Sequence, residues 1–123
     1  MASQLASGDL VSDRYASALY DLAAEKKLVD HVLGDLSNLK NILKDNKELS
    51  LVVKSPLITS IDKLNIFESL LKKINANELT STFIKVIEKN KRFSNLASII
   101  TQFMNINSQK EVMFLLILRQ QMN

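Results

Sequence analysis

The chain has 123 residues, a length that suits one domain, with 46% hydrophobic and 24% charged residues. It has no cysteine, one proline and two glycines, which excludes disulfides and thiolate metal sites and leaves few places for tight β turns. The net charge of +3 is uneven, since residues 1–50 sum to −2 and residues 51–123 to +5. No apolar run approaches the ~18 residues of a membrane-spanning helix, and no signal peptide is expected.

Apolar side chains recur every three to four residues along most of the chain, which predicts amphipathic helices. The expected helices span about 9–27, 29–44, 48–53, 61–74, 78–90 and 94–105. Asn46, Thr59 or Ser60, and Asn77 are candidate caps, and Pro56 must end the third helix because the residue before a proline avoids the helical region. Six short helices with short links predict an all-α, six-helix antiparallel bundle.

Residues that could carry catalysis are sparse. The single histidine, His31, is expected at the surface, and no second histidine or cysteine could share a metal ion with it. There is no glycine-rich phosphate loop. The carboxylates are expected along polar faces, without a paired acid and base. The sequence therefore gives little support to an enzyme, and no catalytic residue, cofactor or metal site is assigned.

Two stretches carry a resemblance to a known family. Residues 14–25 read Arg-Tyr-Ala-Ser-Ala-Leu-Tyr-Asp-Leu-Ala-Ala-Glu, which closely resembles the opening helix of the ATP synthase delta subunit, called OSCP in mitochondria. Residues 83–93, ending in Asn-Lys-Arg-Phe, are similar to the family's fifth helix and the turn after it, and Pro56 precedes Lys63 at a similar spacing. Lys91 and Ala97 depart from the pattern, because the family often has glycine and proline there. The resemblance covers about residues 9–105.

The resemblance implies a function for the bundle. In this family the N-terminal domain is a non-catalytic stator module, and a groove between its first and fifth helices accepts the amphipathic N-terminal helix of an alpha subunit. Carried onto this chain, the groove residues are Val11, Arg14, Tyr15, Ala18 and Leu22 of the first helix, and Phe83, Val86, Ile87 and Asn90 of the fifth. Tyr15 is equally compatible with packing in the core, and for Phe83 and Val86 core packing is the commoner outcome for such residues.

The partners follow from the same resemblance. The alpha-subunit helix is the expected partner, and the module would couple the catalytic head to the peripheral stalk during proton-driven ATP synthesis. The family holds the b-subunit stalk through a C-terminal domain that is not expected here. Neither nucleic-acid binding nor membrane insertion is expected. The absence of a targeting segment favours the cytoplasmic face of a bacterial inner membrane, and an organellar origin stays open.

The segment 106–123 departs from the family. From Lys110 the chain continues with Glu-Val-Met-Phe-Leu-Leu-Ile-Leu-Arg-Gln-Gln-Met-Asn, whereas the family has a polar motif that opens a second domain. Restoring one nucleotide after the codon of Lys110 permits a sequence that resembles the missing motif. This suggests a frameshifted tail, although a divergent natural terminus is an alternative. Such a tail could extend the sixth helix and pair with a second copy.

A second function fits the size and charge of the chain. An RNA-binding helical bundle of the antitermination-factor type is similar in size and has a positive patch. However, the chain has only three arginines, and among its aromatic residues only Phe93 lies among the lysines. A salt-sensitive affinity for RNA would distinguish this function from the stator module.

Overall fold

The computed structural model describes residues 9–121, and the regular structure in that range is entirely helical. Its six α-helices are α1 (Asp9–Glu25), α2 (Val29–Asp45), α3 (Lys47–Lys54), α4 (Ser60–Lys73), α5 (Glu78–Lys89) and α6 (Leu96–Gln121), with a 3-10 turn at Phe93–Asn95. The predicted all-α bundle is confirmed. The first five helices lie within two residues of their expected bounds, whereas the sixth continues past 105 through the tail, an extension that the sequence allowed.

The core is built from one buried face of each helix. The first and last helices pack together: the ring of Tyr20 lies 5.3 Å from that of Phe103, and its hydroxyl donates to Asn107 Oδ1 at 3.4 Å. Burial raises the pKa of Tyr20 above its ordinary value, and the negative charges of Glu111 and Asp30 raise it further. Burying a large apolar side chain stabilises the fold by about 1.5–3 kcal/mol, so this shared core holds the helices together.

Three helices begin at the caps that the sequence predicts. Asn46 Oδ1 accepts from the backbone N–H of Leu49 at 3.0 Å, and Thr59 Oγ1 accepts from that of Asp62 at 3.2 Å. Asn77 caps α5 in the same way. Each cap satisfies a backbone donor that has no partner within its helix, and such a cap is worth about 1 kcal/mol.

Three helices end through left-handed residues that are not glycine. Lys27, Asn75 and Lys91 have φ angles of 60°, 57° and 57°. After Lys91, the backbone N–H of Arg92 returns to the carbonyl of Ile87 at 2.9 Å, which is the bond of a Schellman cap. The same geometry at Lys27 explains why α1 ends at Glu25, two residues before the predicted end.

Two carboxylates, those of Asp35 and Glu88, are buried in the bundle. Asp35 is only 3% exposed, and its Oδ2 accepts from the backbone N–H of Asn77 at 2.8 Å and from Thr80 Oγ1 at 2.7 Å. The expectation that all carboxylates lie along polar faces was therefore wrong. His31, by contrast, is exposed, with Nε2 3.7 Å from Asp35 Oδ1. Asp35 fixes the start of α5 against α2.

Helix α6 continues without a break past residue 105. Its first half contributes Leu96, Ile99, Ile100 and Phe103 to the core, and Asn107 is its last buried residue. Residues 108–121 then extend from the bundle with every residue exposed. The sequence-based boundary at 105 thus falls inside a helix, and the tail extends that helix to Gln121. Residues 122 and 123 lie outside the described range.

Candidate functional site

The outward face of α1 and the turn after α5 enclose an open cavity of about 400 Å3. Its lining residues are Val11, Arg14, Tyr15, Ala18 and Arg92. The four residues from α1 follow the i, i+3, i+4, i+7 spacing that places side chains on one side of a helix. The adjoining side, including Ala16 and Leu19, is buried against the bundle. Four of the five residues expected from the first helix therefore line one cavity.

Tyr15 connects α1 to α5, whose following turn contributes Arg92 to the cavity. Its hydroxyl accepts a hydrogen bond from Asn90 Nδ2 at 2.8 Å. Its ring meets that of Phe83 edge to face, with the centroids 6.3 Å apart and the planes at 69°. Because Tyr15 is partly exposed, it contacts both the core and the cavity, as the two interpretations of the sequence allowed.

The four residues expected from α5 differ in how far their side chains are exposed. Asn90 and Val86 are exposed, the latter at 41%, and Phe83 is 9% exposed beneath Tyr15. Ile87 is fully buried. A docked helix could not contact Ile87 without opening the bundle, so we correct its assignment from groove residue to core residue.

Leu22 extends the stripe on α1 beyond the cavity. It is 38% exposed and follows Ala18 by one helical turn, although it does not line the cavity itself. Ala18 is exposed and carries only a methyl group, so a partner backbone can approach α1 closely at this point. Together these residues form an open groove with a small residue between larger apolar ones.

Arg92 belongs to the site but was not among the sequence-based candidates. The left-handed conformation of Lys91 turns the chain, and the backbone of Arg92 is bonded to Ile87. Its side chain then lines the cavity together with Arg14. The glycine that the family often has at position 91 indicated this sharp turn, since positive φ favours glycine. The two arginines make the border of the groove positively charged.

Within the described residues, no three His, Asp or Glu side chains come close enough to hold a metal ion. No helix in that part of the chain combines the length and the apolar character needed to cross a membrane. The cavity on α1 is an apolar groove with a basic border, and helix-in-groove recognition uses a surface of this kind.

The family model for the ATP synthase delta (OSCP) subunit matches residues 11–115. The chain belongs to the ATP synthase delta (OSCP) subunit family. The match includes both helices that border the groove and the first half of the exposed part of α6.

Individual members of the delta family agree with this assignment. The chain is 36% identical over 101 residues to ATP synthase subunit delta of Rhizobium leguminosarum, and 34% identical over 103 residues to that of Rhodopseudomonas palustris. These alignments cover 82% and 84% of the chain but only 53% and 55% of the relatives. The chain thus spans about half the length of the curated relatives it matches.

A solved structure has the same fold. A chain in the cryo-EM structure of the Toxoplasma gondii mitochondrial ATP synthase hexamer superposes with a TM-score of 0.71 at 29% identity. The superposition covers 89% of the present chain and 72% of that chain. The family resemblance first found in residues 14–25 and 83–93 is therefore confirmed by both sequence and fold.

Proposed function

We propose that this chain is a non-catalytic stator module of an ATP synthase, and that its α1–α5 groove binds the amphipathic N-terminal helix of an alpha subunit. The observation that supports this most directly is the cavity lined by Val11, Arg14, Tyr15 and Ala18. These are residues that the family resemblance assigns to the groove, and they lie together on one open face.

The shape of the groove suits a helix. Val11, Ala18 and Leu22 offer a stripe about three turns long, and the methyl side chain of Ala18 leaves room for a helix whose axis lies about 8–10 Å away. Burial of apolar surface at about 25 cal/mol per Å2 provides the attraction. An amphipathic partner, apolar on one side only, fits this stripe while it keeps its polar side in water.

The charge of the groove adds a preference. Arg14 and Arg92 both line the cavity, and exposed guanidinium groups favour carboxylates on the partner. Charges at the edge of an interface act mainly on specificity and on the rate of association. The partner helix is therefore expected to carry acidic side chains beside its apolar stripe.

Bound in this way, the module would couple the catalytic head to the peripheral stalk and oppose rotation of the head. It would act at the cytoplasmic face of a bacterial inner membrane as a peripheral component. Its contribution would be mechanical, since a stator module transmits force without performing chemistry.

Titration calorimetry with a synthetic peptide of the alpha-subunit N-terminal helix tests the proposal. Ala18→Trp fills the groove and should abolish the binding heat, while the circular dichroism spectrum stays helical. Ala24→Trp is the matched control, because Ala24 is exposed on another side of α1 and should leave binding unchanged. Normal binding by Ala18→Trp would show that the groove assignment is wrong.

The same titration with RNA in place of the peptide separates the stator module from an RNA-binding bundle. The stator module should give no measurable heat with RNA at physiological salt. An affinity that falls steeply with increasing salt would instead indicate phosphate contacts and would favour the RNA-binding function.

A further inference from the structure

The exposed half of α6 carries an apolar surface that the groove does not use. Seven successive residues, Val112 to Leu118, are apolar, and each exposes between 41% and 61% of its surface. Contiguous apolar patches larger than a few hundred Å2 are rare on soluble monomers and mark interaction sites. This segment, residues 108–121, is called the α6 extension below.

We propose that the α6 extension is a self-association surface, on which a second copy of this chain packs with its α6 extension antiparallel to the first. The apolar residues surround the helix on all sides, so hydrophobicity alone does not select a contact face. The contact face is selected by the charged residues at the two ends of the apolar run.

Glu111 and Arg119 lie four residues before and four residues after Leu115. On a helix of 3.6 residues per turn, they lie about 40° to either side of Leu115, on the same face. Val112 and Leu118 lie at about 60° on this face and complete it. It is therefore an apolar strip with an acidic end and a basic end.

An antiparallel pair with Leu115 at its two-fold axis makes this face self-complementary. Leu115 then meets Leu115 of the second copy, Val112 meets Leu118, and Glu111 meets Arg119 on both sides of the axis. Such an isologous contact is the commonest arrangement in homodimers. Parallel pairing would instead bring Glu111 against Glu111 and Arg119 against Arg119, which is unfavourable.

The length of the helix also permits the pairing. In the antiparallel register, Gln121 of one copy reaches the level of Gln109 of the other. That level is two residues beyond Asn107, the last buried residue of α6, so neither bundle blocks the contact. The two bundles then lie at opposite ends of the paired helices.

The area of contact sets the expected strength. Stable interfaces bury roughly 1,200–2,000 Å2, and two helices paired over about four turns bury less than that. We therefore expect a reversible dimer, which forms at chain concentrations on the order of tens of micromolar, rather than a permanent one.

Sedimentation equilibrium of the full chain between about 2 and 200 μM tests this. The weight-average mass should rise from 13.9 kDa toward twice that value as concentration increases. Leu115→Asp should hold the mass at the monomer value throughout. Leu57→Asp is the matched control, since Leu57 is 91% exposed in the α3–α4 loop, and it should dimerise like the unchanged chain.

A charge exchange tests the register. Glu111→Arg and Arg119→Glu should each weaken the dimer several-fold, and the double variant should restore it, because only the antiparallel register pairs these two positions. A double variant as weak as the single ones would overturn this register. If the unchanged chain stays monomeric at the highest concentration, self-association is overturned. If that monomeric chain also co-floats with vesicles of phosphatidylcholine and phosphatidylglycerol, the apolar surface binds a membrane instead of a second copy.

Discussion

The hydroxyl of Tyr15 on α1 accepts a hydrogen bond at 2.8 Å from Asn90, the residue that ends α5, across 75 residues of sequence. This bond holds together the two helices that border the groove. Because it is exposed to water, its net contribution should be modest, even though it fixes the width of the groove.

Removing either partner should loosen the groove. We expect Tyr15→Phe and Asn90→Ala each to lower the free energy of unfolding slightly, with a coupling of about 0.5–1 kcal/mol in the double-mutant cycle. Urea unfolding of the four proteins measures this coupling. Additive effects would mean that the bond does not contribute in solution.

Reversing the charge of Arg92 should weaken binding of the alpha-subunit peptide without affecting the fold. We expect Arg92→Glu to lose about three- to ten-fold in affinity at low salt and less at high salt, because exposed charges are screened. Lys73→Glu makes the same change in net charge at an exposed position on α4 and serves as the control. Equal losses in both variants would point to a general charge effect rather than to the groove.

Asp35 should be among the polar residues most important for stability. Asp35→Ala removes the acceptor of two hydrogen bonds and leaves the buried Thr80 hydroxyl without a partner, so we expect a loss of about 2–4 kcal/mol. Asp45→Ala, an exposed change on the same helix, should stay within about 0.5 kcal/mol of the unchanged chain. Thermal unfolding followed by circular dichroism compares them, and similar melting temperatures would contradict the role given to Asp35.

Glycine at position 91 should stabilise the chain. A left-handed conformation costs a non-glycine residue about 1–2 kcal/mol, and glycine would remove this strain. The greater conformational freedom of glycine in the unfolded chain offsets part of the stability gained. Lys91→Gly should therefore raise the free energy of unfolding by about 0.5–1 kcal/mol, whereas Lys91→Ala should give no gain. Urea unfolding decides between these outcomes, and a stabilised alanine variant would argue against backbone strain as the cause.

Tyr20 should make stability depend on pH in the alkaline range. Its pKa is raised in the folded protein, first by burial and then by Glu111 and Asp30, so folding favours the neutral phenol. The resulting stability is fully present below the unfolded pKa of about 10 and is lost as pH rises through the higher folded pKa. The stability difference between the chain and Tyr20→Phe should therefore decrease as the pH rises above about 10. A constant difference in unfolding experiments would contradict the raised pKa.

The helices and their starts could be predicted because their causes are local. Apolar spacing and the cap residues Asn46, Thr59 and Asn77 act within a few residues of each other in sequence. The buried position of Asp35 could not be predicted in this way, because its partners lie more than 40 residues away. The sequence left the end of α6 open, because the chain departs from the family after Lys110. An extension of the sixth helix was one possibility, and α6 does continue to Gln121.

The groove was found by resemblance rather than by physics alone. Periodicity places Tyr15 and Ala18 on an outward face, but it cannot show that Asn90 contacts Tyr15. Ile87 was assigned to the groove by the resemblance, yet a helix turns adjacent residues by about 100°, which places Ile87 in the core beside the exposed Val86. Arg92 was missed because its position depends on the left-handed turn at Lys91.

Helix α1 is synthesised first, but it packs on α6, which is synthesised last. Tyr20 leaves the ribosome 87 residues before its partner Asn107. At the usual rate of synthesis, this interval is on the order of ten seconds. Throughout that time the part of the α1 apolar face that packs on α6 has no native helix to cover it, so the nascent chain presents a site that chaperones can recognise before the bundle closes.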